Sequence, residues 1–307
     1  MDSVVTTPAP ALDKPLMHYG KRTLTRVAPG MDQPDYRHLD ISPLTPHIGA
    51  EVDGVDLSLP IGDEAADELR QALLEWKVLF FRDQHGFAPD SQLALAGLWG
   101  DPEPNPFFPK GGTVGVSRLA KDAMTIGTEN IWHSDHSFMA APALGSVLRA
   151  VEIPSAGGDT LWADMAAAYD NLPQALKDRV EDLTAVHDWV PSWGSMMTEA
   201  QVAAHRENLP AVEHPVVVRH PATGRRLLYV NEPFTTRIVG LSDRESRELL
   251  DELVLQARIP EYQVRFRWQP GSVAIWDNIA TQHYAISDYF PQRRVMERIA
   301  IAGVPLS

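Results

Sequence analysis

The chain has 307 residues, and 27 Lys and Arg against 41 Asp and Glu give a formal net charge of -14 at pH 7. This charge argues against nucleic acid or an anionic membrane as a partner, because both select for clustered Lys and Arg. The sequence contains no cysteine, which excludes disulfides and thiolate chemistry and fits a reducing compartment.

Targeting signals and domain organisation can be predicted from the length and composition of the chain. The N-terminus lacks a basic segment followed by an apolar run, and no stretch approaches ~18 apolar residues, so the sequence predicts a soluble cytoplasmic protein. Residues 1–36 carry proline and charge without periodicity, which predicts a flexible N-terminal leader. Residues 37–307 are expected to form a single domain, since jelly-roll and barrel folds of this size are one unit.

The first half of the predicted domain alternates short strands and short helices. Turn signals between short apolar pieces predict strands within residues 39–57, and apolar residues at helical spacing predict a helix over residues 63–76. The run Val78–Phe81 is apolar and closed by charge, which is typical of a strand buried on both faces. Residues 90–98 are predicted to form another short helix.

The middle of the chain is predicted to be less regular. A strand is expected over residues 146–153, helix over residues 164–183 with a break at Pro173, and a strand again over residues 185–190. Residues 191–213 then form a long polar and Met-containing connection, typical of a lid or a mobile loop. An unimportant surface excursion is the alternative.

The C-terminal part carries the clearest local signals. A hairpin is predicted around residues 221–224, and Ser242 with Glu245 forms a capping box that opens a helix. Residues 262–268 alternate strictly, so one face is buried while Arg265 and Arg267 face solvent. Many short strands and few helices predict a mainly β fold with flanking helices, a double-stranded β-helix or jelly roll.

The stretch Trp132-His133-Ser134-Asp135 carries the chemistry on which the functional hypothesis depends. In an extended backbone it points an imidazole and a carboxylate in the same direction. We assign His283 as the third ligand, since two histidines and one carboxylate on one face of a metal leave the opposite face open. Open positions are what an oxygen-activating Fe(II) enzyme needs.

The His-x-Asp spacing alone is weak evidence for a metal site, because a chain with 11 histidines should contain roughly one such pair by chance. His38 and Asp40 have the same spacing beside the leader, and they are interpreted as an ordinary strand start or surface loop. His133 differs because other motifs follow it at defined distances. These are the stretch Gly157–Trp162, His283, Arg294 and Arg298.

Several stretches together resemble the Fe(II)/2-oxoglutarate dioxygenases of the taurine dioxygenase (TauD/TfdA) family. The resemblance extends from Leu39 to Pro305, which is nearly the whole predicted domain. The matching stretches are Ile48–Val52, Val78–Gln84, Trp132–Asp135, Gly157–Trp162, Val230–Glu232 and Trp276–Arg298.

The resemblance implies a reaction and a set of ligands. It implies Fe(II) held by His133, Asp135 and His283, with 2-oxoglutarate as the chelating cosubstrate and O2 in the remaining position. It assigns the far carboxylate of 2-oxoglutarate to Arg294, with Thr160 adding a hydroxyl. The implied products are succinate, CO2 and a hydroxylated substrate, because an intact aspartate ligand favours hydroxylation over the halogenation of related enzymes.

Two arginines on the last predicted strand have to be distinguished by their direction. Arg293 and Arg294 are neighbours on a strand, so only one of them points inward. Arg298 lies on the same face as Arg294, roughly 13 Å further along, and is the candidate for the acid group of the substrate. Its neighbour Glu297 points to the opposite face. The alternative is that Arg298 pairs with a buried carboxylate.

The substrate is the least determined part of the hypothesis. In taurine dioxygenases a His-Pro-x-Tyr-Pro stretch helps to bind the sulfonate, whereas this chain has Asn105 and Phe108 in that stretch. The residue after the aspartate is His136, and Ile279 stands where the family commonly has arginine. We predict a small anionic substrate, taurine-like or another organosulfonate or an alkyl sulfate, with Asn105, Phe108, His136 and Arg298 contacting it. An aryloxy or other carboxylate is the alternative.

Aromatic residues near the motifs have two interpretations. Trp132, Phe138 and Trp162 either keep water out of the pocket or form ordinary core.

Two other functional classes and an assembly state complete the predictions. A non-catalytic jelly-roll binding protein and a Zn hydrolase could keep the same ligands. Thr160, Arg294 and Asp135 together speak against both, because neither class needs a site for a dicarboxylate. A homo-oligomer, dimer or tetramer, is expected.

Overall fold

The computed structural model describes residues 21–28, 30–32, 34–107, 115–125, 127 and 129–306. Within these ranges the protein is mainly β, with flanking helices. The strands are β1 (Asp40–Pro43), β2 (Ala50–Asp53), β3 (Val78–Phe81), β4 (Pro102–Glu103), β5 (Ser117–Lys121), β6 (Gly145–Glu152), β7 (Thr160–Asp164), β8 (Thr184–His187), β9 (Val212–Pro215), β10 (Val217–Arg219), β11 (Arg226–Leu228), β12 (Thr235–Ile238), β13 (Gln263–Phe266), β14 (Val273–Asp277), β15 (Thr281–Ala285) and β16 (Arg294–Ile301). The α-helices are α1 (Asp63–Trp76), α2 (Pro89–Ala96), α3 (Met165–Asp170), α4 (Gln174–Val180), α5 (Val190–Trp193), α6 (Glu199–Asn208) and α7 (Asp243–Val254).

The larger sheet forms one wall of the molecule. Its order is β1-β2-β3-β14-β6-β16-β4, and β5 also pairs with β16. The pairs are antiparallel except for β2 and β3, which run parallel. In the centre, Ile275 of β14 lies opposite Leu79 of β3 and Val147 of β6. All three are fully buried. Because both faces of β3 are covered, its four residues are all apolar.

A second sheet packs against the first and carries Thr160 and His283. Its order is β13-β7-β15, and an isolated bridge between His133 and His283 extends it. Phe80 of β3 stacks on Phe266 of β13 with ring centroids 4.1 Å apart, so aromatic side chains fill the space between the sheets. Two facing sheets around one aromatic core confirm the predicted jelly roll.

Several local predictions agree with the structure. Helix α1 has the predicted bounds, and its apolar face packs with Phe81 on the larger sheet. Strands β10 and β11 form the hairpin predicted around residues 221–224. The capping box at α7 is present, since the Glu245 amide donates to the Ser242 hydroxyl and the Ser242 amide donates to the Glu245 carboxylate. Arg265 faces outward as predicted and pairs with Asp159 at 2.7 Å.

Residues 191–213 differ from their prediction as a long irregular connection. They contain the end of α5, a 3-10 turn over Gly194–Met196, the ten-residue helix α6 and the start of β9. A capping box between Thr198 and Gln201 begins α6, and this signal was present in the sequence. The segment is therefore folded, and a lid function stays a prediction.

The predicted leader is only partly within the described residues. Arg26 pairs with Glu75 of α1 at 2.7 Å, and the Thr23 amide donates to Asn171 at 2.8 Å, so residues 21–28 contact the domain. Residues 1–20 lie outside the described part, and the boundary at residue 36 and the single domain over residues 37–307 stay predictions. Among the described residues, no helix has the length and apolar character needed to cross a membrane.

Candidate active site

The second sheet brings the three predicted metal ligands together. The amide of His133 donates to the carbonyl of His283 at 3.0 Å, and the reverse bond measures 2.8 Å. The Nε2 atoms of His133 and His283 lie 3.8 and 4.0 Å from Oδ1 of Asp135. One potential ligand atom from each side chain lies within 4.8 Å of the other two. The arrangement is a facial group of two imidazoles and one carboxylate, which is the donor set that Fe(II) takes in oxygenases.

The surroundings of the two histidines differ, but each leaves a ring nitrogen facing Asp135. Nδ1 of His133 donates to the carbonyl of Ile131 at 2.8 Å, so its Nε2 keeps a free lone pair on the side of Asp135. His283 is buried, and this burial lowers its pKa to about 3, with the nearby His133 acting in the same direction. An imidazole that stays neutral does not have to lose a proton before it binds a metal.

Asp135 is held as a carboxylate by its surroundings. Its Oδ1 accepts a hydrogen bond from Nη1 of Arg298 at 2.6 Å, and its Oδ2 accepts one from the Ser146 hydroxyl at 3.2 Å. Burial by itself would raise the pKa of Asp135. The positive charge of Arg298 is the main effect that outweighs burial and holds the pKa of Asp135 well below its ordinary value.

The second His-x-Asp pair has no such environment. His38 is half exposed and its Nδ1 lies 2.9 Å from the carboxylate of Glu68 in α1. Asp40 begins β1 and is exposed. The interpretation of this pair as an ordinary strand start is therefore confirmed.

A pocket opens beside the three ligands, between the two sheets. It is lined by both ligand histidines and by the side chains that the sequence predicted for 2-oxoglutarate. Other residues of its wall include Trp162, Trp276 and Tyr289. Trp162 both lines this pocket and belongs to a buried core cluster, so its position agrees with both interpretations. Trp132 instead packs on Tyr284, with ring centroids 5.6 Å apart, and belongs to a core cluster.

Arg294 and Arg293 point in opposite directions, as the strand argument required. Arg294 lines the pocket, is 8% exposed, and its Nε has no hydrogen-bond partner among the described residues. Burial lowers its pKa from the ordinary value, although an arginine stays charged at neutral pH. Arg293 lies at the surface and pairs with Glu152. A buried guanidinium with an unused donor is what an anionic ligand in this pocket would need.

Thr160 lies at the start of β7 in the same pocket. Its hydroxyl oxygen accepts a hydrogen bond from Nε1 of Trp268 at 3.0 Å. This bond fixes the rotamer of the side chain, and the hydroxyl proton remains available to a ligand.

Arg298 differs in part from its predicted environment. It lines the pocket as expected, but it also pairs with the buried carboxylate of Asp135, which the sequence offered only as the alternative. Its Nε has no partner among the described residues. Glu297 points to the opposite face, as predicted, where Arg118 and Arg149 bind it, each at 2.6 Å.

The other predicted substrate contacts are placed less directly. Asn105 uses its side-chain oxygen to accept the amide of Phe107 at 2.9 Å, so it shapes a turn of the chain. Phe108 lies outside the described residues. His136 is buried, with Nδ1 2.8 Å from the carboxylate of Glu103, while its Nε2 has no partner among the described residues.

An aromatic cluster adjoins the ligands on the side of His133. Phe234 lies 6.5 Å from His133 between ring centroids, and Phe138 and Trp193 lie 5.0 and 5.2 Å from Phe234. Phe107 packs on Trp193 at 4.9 Å. Phe138 was a candidate from the sequence, whereas Phe234 and Trp193 were missed. For Phe234 the only local signal in the sequence was that it follows the family-like stretch ending at Glu232. For Trp193 it was its position within the predicted lid, residues 191–213.

Comparisons with known proteins agree with this geometry. Residues 40–300 match the family described as taurine catabolism dioxygenase TauD, TfdA family. An alkylsulfatase of Acinetobacter baylyi is 39% identical over 276 residues, covering 87% of this chain and 86% of the relative. An alpha-ketoglutarate-dependent sulfate ester dioxygenase of Pseudomonas putida is 39% identical over 281 residues, covering 88% and 91%. The crystal structure of a taurine dioxygenase from Burkholderia xenovorans superposes with a TM-score of 0.73 at 36% identity, covering 87% and 90%.

Proposed function

The chain belongs to the TauD/TfdA family of Fe(II)- and 2-oxoglutarate-dependent dioxygenases, and from this premise we propose that it oxidises an alkyl sulfate or a related organosulfonate. The observation that carries the reaction class is the His133, Asp135 and His283 group beside the buried Arg294. Such a site needs a dicarboxylate cosubstrate as well as a metal. A non-catalytic binding protein or a Zn hydrolase would not need a buried arginine for a dicarboxylate.

The side chains divide the work between the metal and the cosubstrate. His133, Asp135 and His283 hold Fe(II) on one face and leave the opposite face open. Arg294 binds the far carboxylate of 2-oxoglutarate as a charged partner, and the Thr160 hydroxyl donates to the same group. The chemistry that bound Fe(II) and 2-oxoglutarate supply is oxidation of a substrate C–H bond by O2, with release of succinate and CO2.

The acid group of the substrate is assigned to Arg298. Its guanidinium holds Asp135 with Nη1 and keeps donors for a second anion. With a net charge of -14 the protein as a whole repels an anion, so a substrate acid must be recognised by a cation at short range. A sulfate or sulfonate offers three oxygens to such a donor group.

The apolar part of the substrate is assigned to the aromatic cluster. Phe107 and Trp193 are the partly exposed members of this cluster and offer an apolar surface, whereas Phe138 and Phe234 are buried within it. An alkyl chain gains from contact with this surface, whereas the ammonium group of taurine would lose its hydration there without a partner. The two relatives that act on sulfate esters at 39% identity support an alkyl sulfate over taurine. An aryloxy carboxylate remains the second candidate, because the same cluster could stack an aromatic ring.

The products provide a direct test. Hydroxylation of the carbon that bears the sulfate oxygen places a hydroxyl and a sulfate on one carbon. This product loses sulfate to give an aldehyde, so one O2 and one 2-oxoglutarate yield one aldehyde, one sulfate, one succinate and one CO2.

The experiment measures O2 uptake and sulfate release with Fe(II) and 2-oxoglutarate for hexyl sulfate, hexanesulfonate, taurine and phenoxyacetate. We expect the highest kcat/KM for hexyl sulfate, with sulfate and succinate formed in equal amounts. Asp135→Ala should abolish turnover, and His38→Ala should not change it. Preferred turnover of phenoxyacetate or taurine would overturn the substrate assignment, and loss of activity in His38→Ala would overturn the ligand assignment.

A further inference from the structure

The loop that carries Asp135 is clamped by one buried amide from the other ligand-bearing segment. Oδ1 of Asn278 accepts the amide N–H of Asp135 at 2.7 Å. Its Nδ2 donates to the carbonyl oxygens of Asp135 and Ala143, both at 2.8 Å. Asn278 is fully buried, so water does not compete for these bonds.

The position of Asn278 in the chain gives these bonds their significance. It follows the last residue of β14 and stands five residues before His283. The amide nitrogens of Ile279 and Ala280 donate to Oδ1 of Asp277, which fixes the turn that leads into β15. The backbone N–H and C=O of Asp135 are thereby hydrogen-bonded to the turn that precedes His283.

From this geometry we propose that Asn278 is a positioning residue of the metal centre, which sets where Asp135 stands relative to His283. The inference rests on the proposed metal site. Arg298 and Ser146 orient the carboxylate of Asp135, but neither contacts its main chain. The two histidines are aligned by their own backbone bridge. Asn278 bonds the backbone of Asp135 itself before any metal arrives. Among the described residues, the other tie of this loop to the same turn, from the Ser134 hydroxyl to the Thr281 carbonyl at 3.0 Å, acts at the preceding residue.

The chain contains a matched control for this clamp. Asn171 accepts the amide of Thr23 and donates to the carbonyl of Thr23 and the carbonyl of Ala167, each at 2.8 Å. The bonding pattern is the same, but Asn171 is half-buried at the C-terminal end of α3, and its partners include none of the proposed ligands. Loss of Asn171 therefore reports what an asparagine clamp contributes to stability alone.

The test measures Mn(II) binding to the metal-free protein by EPR, without any turnover. Asn278→Ala should weaken Mn(II) binding by about tenfold or more, as is typical when a partner of a ligand is removed. Asn171→Ala should lower the melting temperature and leave the Mn(II) affinity unchanged. Wild-type affinity in a folded Asn278→Ala variant would overturn the inference. Failure of the wild-type protein to bind Mn(II) would instead overturn the proposed metal site.

Two further measurements keep the inference testable if Asn278→Ala does not fold. Asn278→Asp keeps the size and the acceptor but removes the two donors, and it should also bind Mn(II) more weakly. In the wild-type metal-free protein, amide hydrogen exchange followed by NMR should show the Asp135 N–H protected before metal is added. Fast exchange at Asp135, with protection appearing only on Zn(II) addition, would show that the metal and not Asn278 positions this loop.

Discussion

At the scale of single residues, Arg298 is shared between the metal centre and the substrate pocket. The guanidinium pairs with the buried carboxylate of Asp135, and the same side chain lines the pocket beside the metal ligands. A buried carboxylate without its partner is costly, whereas a bound metal ion can replace part of the lost positive charge. Arg298 therefore stabilises the buried carboxylate of Asp135, and its proposed role in substrate recognition can be tested in the same variant.

Replacing Arg298 by Met should show both contributions. The variant leaves Asp135 buried and unpaired, so we expect a loss of ~3–5 kcal/mol in the free energy of unfolding of the metal-free protein. Saturating Mn(II) should recover part of this loss, and turnover of anionic substrates should fall. Thermal denaturation with and without Mn(II), beside substrate-dependent O2 uptake, measures both effects. An unchanged melting temperature would show that the pair with Asp135 contributes nothing.

Arg293, just before β16, and Arg294, its first residue, should differ in their effect on the KM for 2-oxoglutarate. Arg294→Met removes a charged hydrogen bond to the cosubstrate and should raise the KM for 2-oxoglutarate by an amount equivalent to ~1.5–3 kcal/mol. Arg293→Met is the control, because Arg293 pairs with Glu152 at the surface and should leave that KM unchanged. Titration of 2-oxoglutarate at saturating substrate gives both values, and equal increases would contradict the assignment.

At the scale of elements, the turn from β14 to β15 is held by a buried histidine–aspartate contact. Nδ1 of the same histidine, His220, accepts the amides of Ala222 and Thr223 at 3.2 and 3.1 Å. Nε2 of His220, just after β10, lies 2.7 Å from Oδ2 of Asp277. Burial would lower the pKa of His220, but the charge and hydrogen bond of Asp277 outweigh it, so the pKa lies above its ordinary value. Burial would raise the pKa of Asp277, but His220 and two backbone amides keep it below its ordinary value.

These directions fix the sign of a pH dependence. A raised histidine pKa stabilises the fold fully below the unfolded value of 6.5, and this stabilisation is lost as pH rises through the folded pKa. The contribution of Asp277 is present above its unfolded value of 3.8 and is lost as pH falls through its lowered pKa. The pair therefore stabilises the protein most in the window between these two limits.

The His220→Gln variant tests this window. It should lower the free energy of unfolding by ~1.5–3 kcal/mol near pH 6 and by clearly less near pH 9, because the wild-type contribution fades as His220 loses its proton. Urea denaturation at both pH values provides the comparison. His85→Gln, at an exposed histidine, should change stability little at either pH. A loss that is equal or larger near pH 9 would show that the pair is not ionised as described.

At the scale of the whole molecule, the jelly roll places the site at the seam between its two sheets. The larger sheet contributes Asp277, Arg294 and Arg298, and the smaller one contributes Thr160 and His283. The core between the sheets is aromatic, with Trp162 lying 5.8 Å from Trp276 and 5.3 Å from Phe80 between ring centroids. Such a core is rigid and water-poor, which strengthens the charge interactions in the adjoining pocket.

The sequence alone determined the features that depend on local spacing. The His-x-Asp motif, the strand alternation that separates Arg294 from Arg293, and the helix over residues 63–76 follow from periods of two and 3.6 residues, which near neighbours in the chain fix. Together with the resemblance they were sufficient for the jelly roll and the reaction class. The capping signal at Thr198 was also local, and α6 could have been predicted from it.

Only the tertiary structure decided which distant groups share a partner. The pair of Arg298 with Asp135 joins residues 163 positions apart, and the clamp of Asn278 on Asp135 joins residues 143 positions apart. The aromatic cluster beside His133 likewise combines Phe107, Trp193 and Phe234 from separate segments. Strand periodicity tells which face a side chain takes, but the packing of the two sheets determines what it meets there. The sequence could therefore name the metal ligands, while the residues that hold them in place emerged only from the fold.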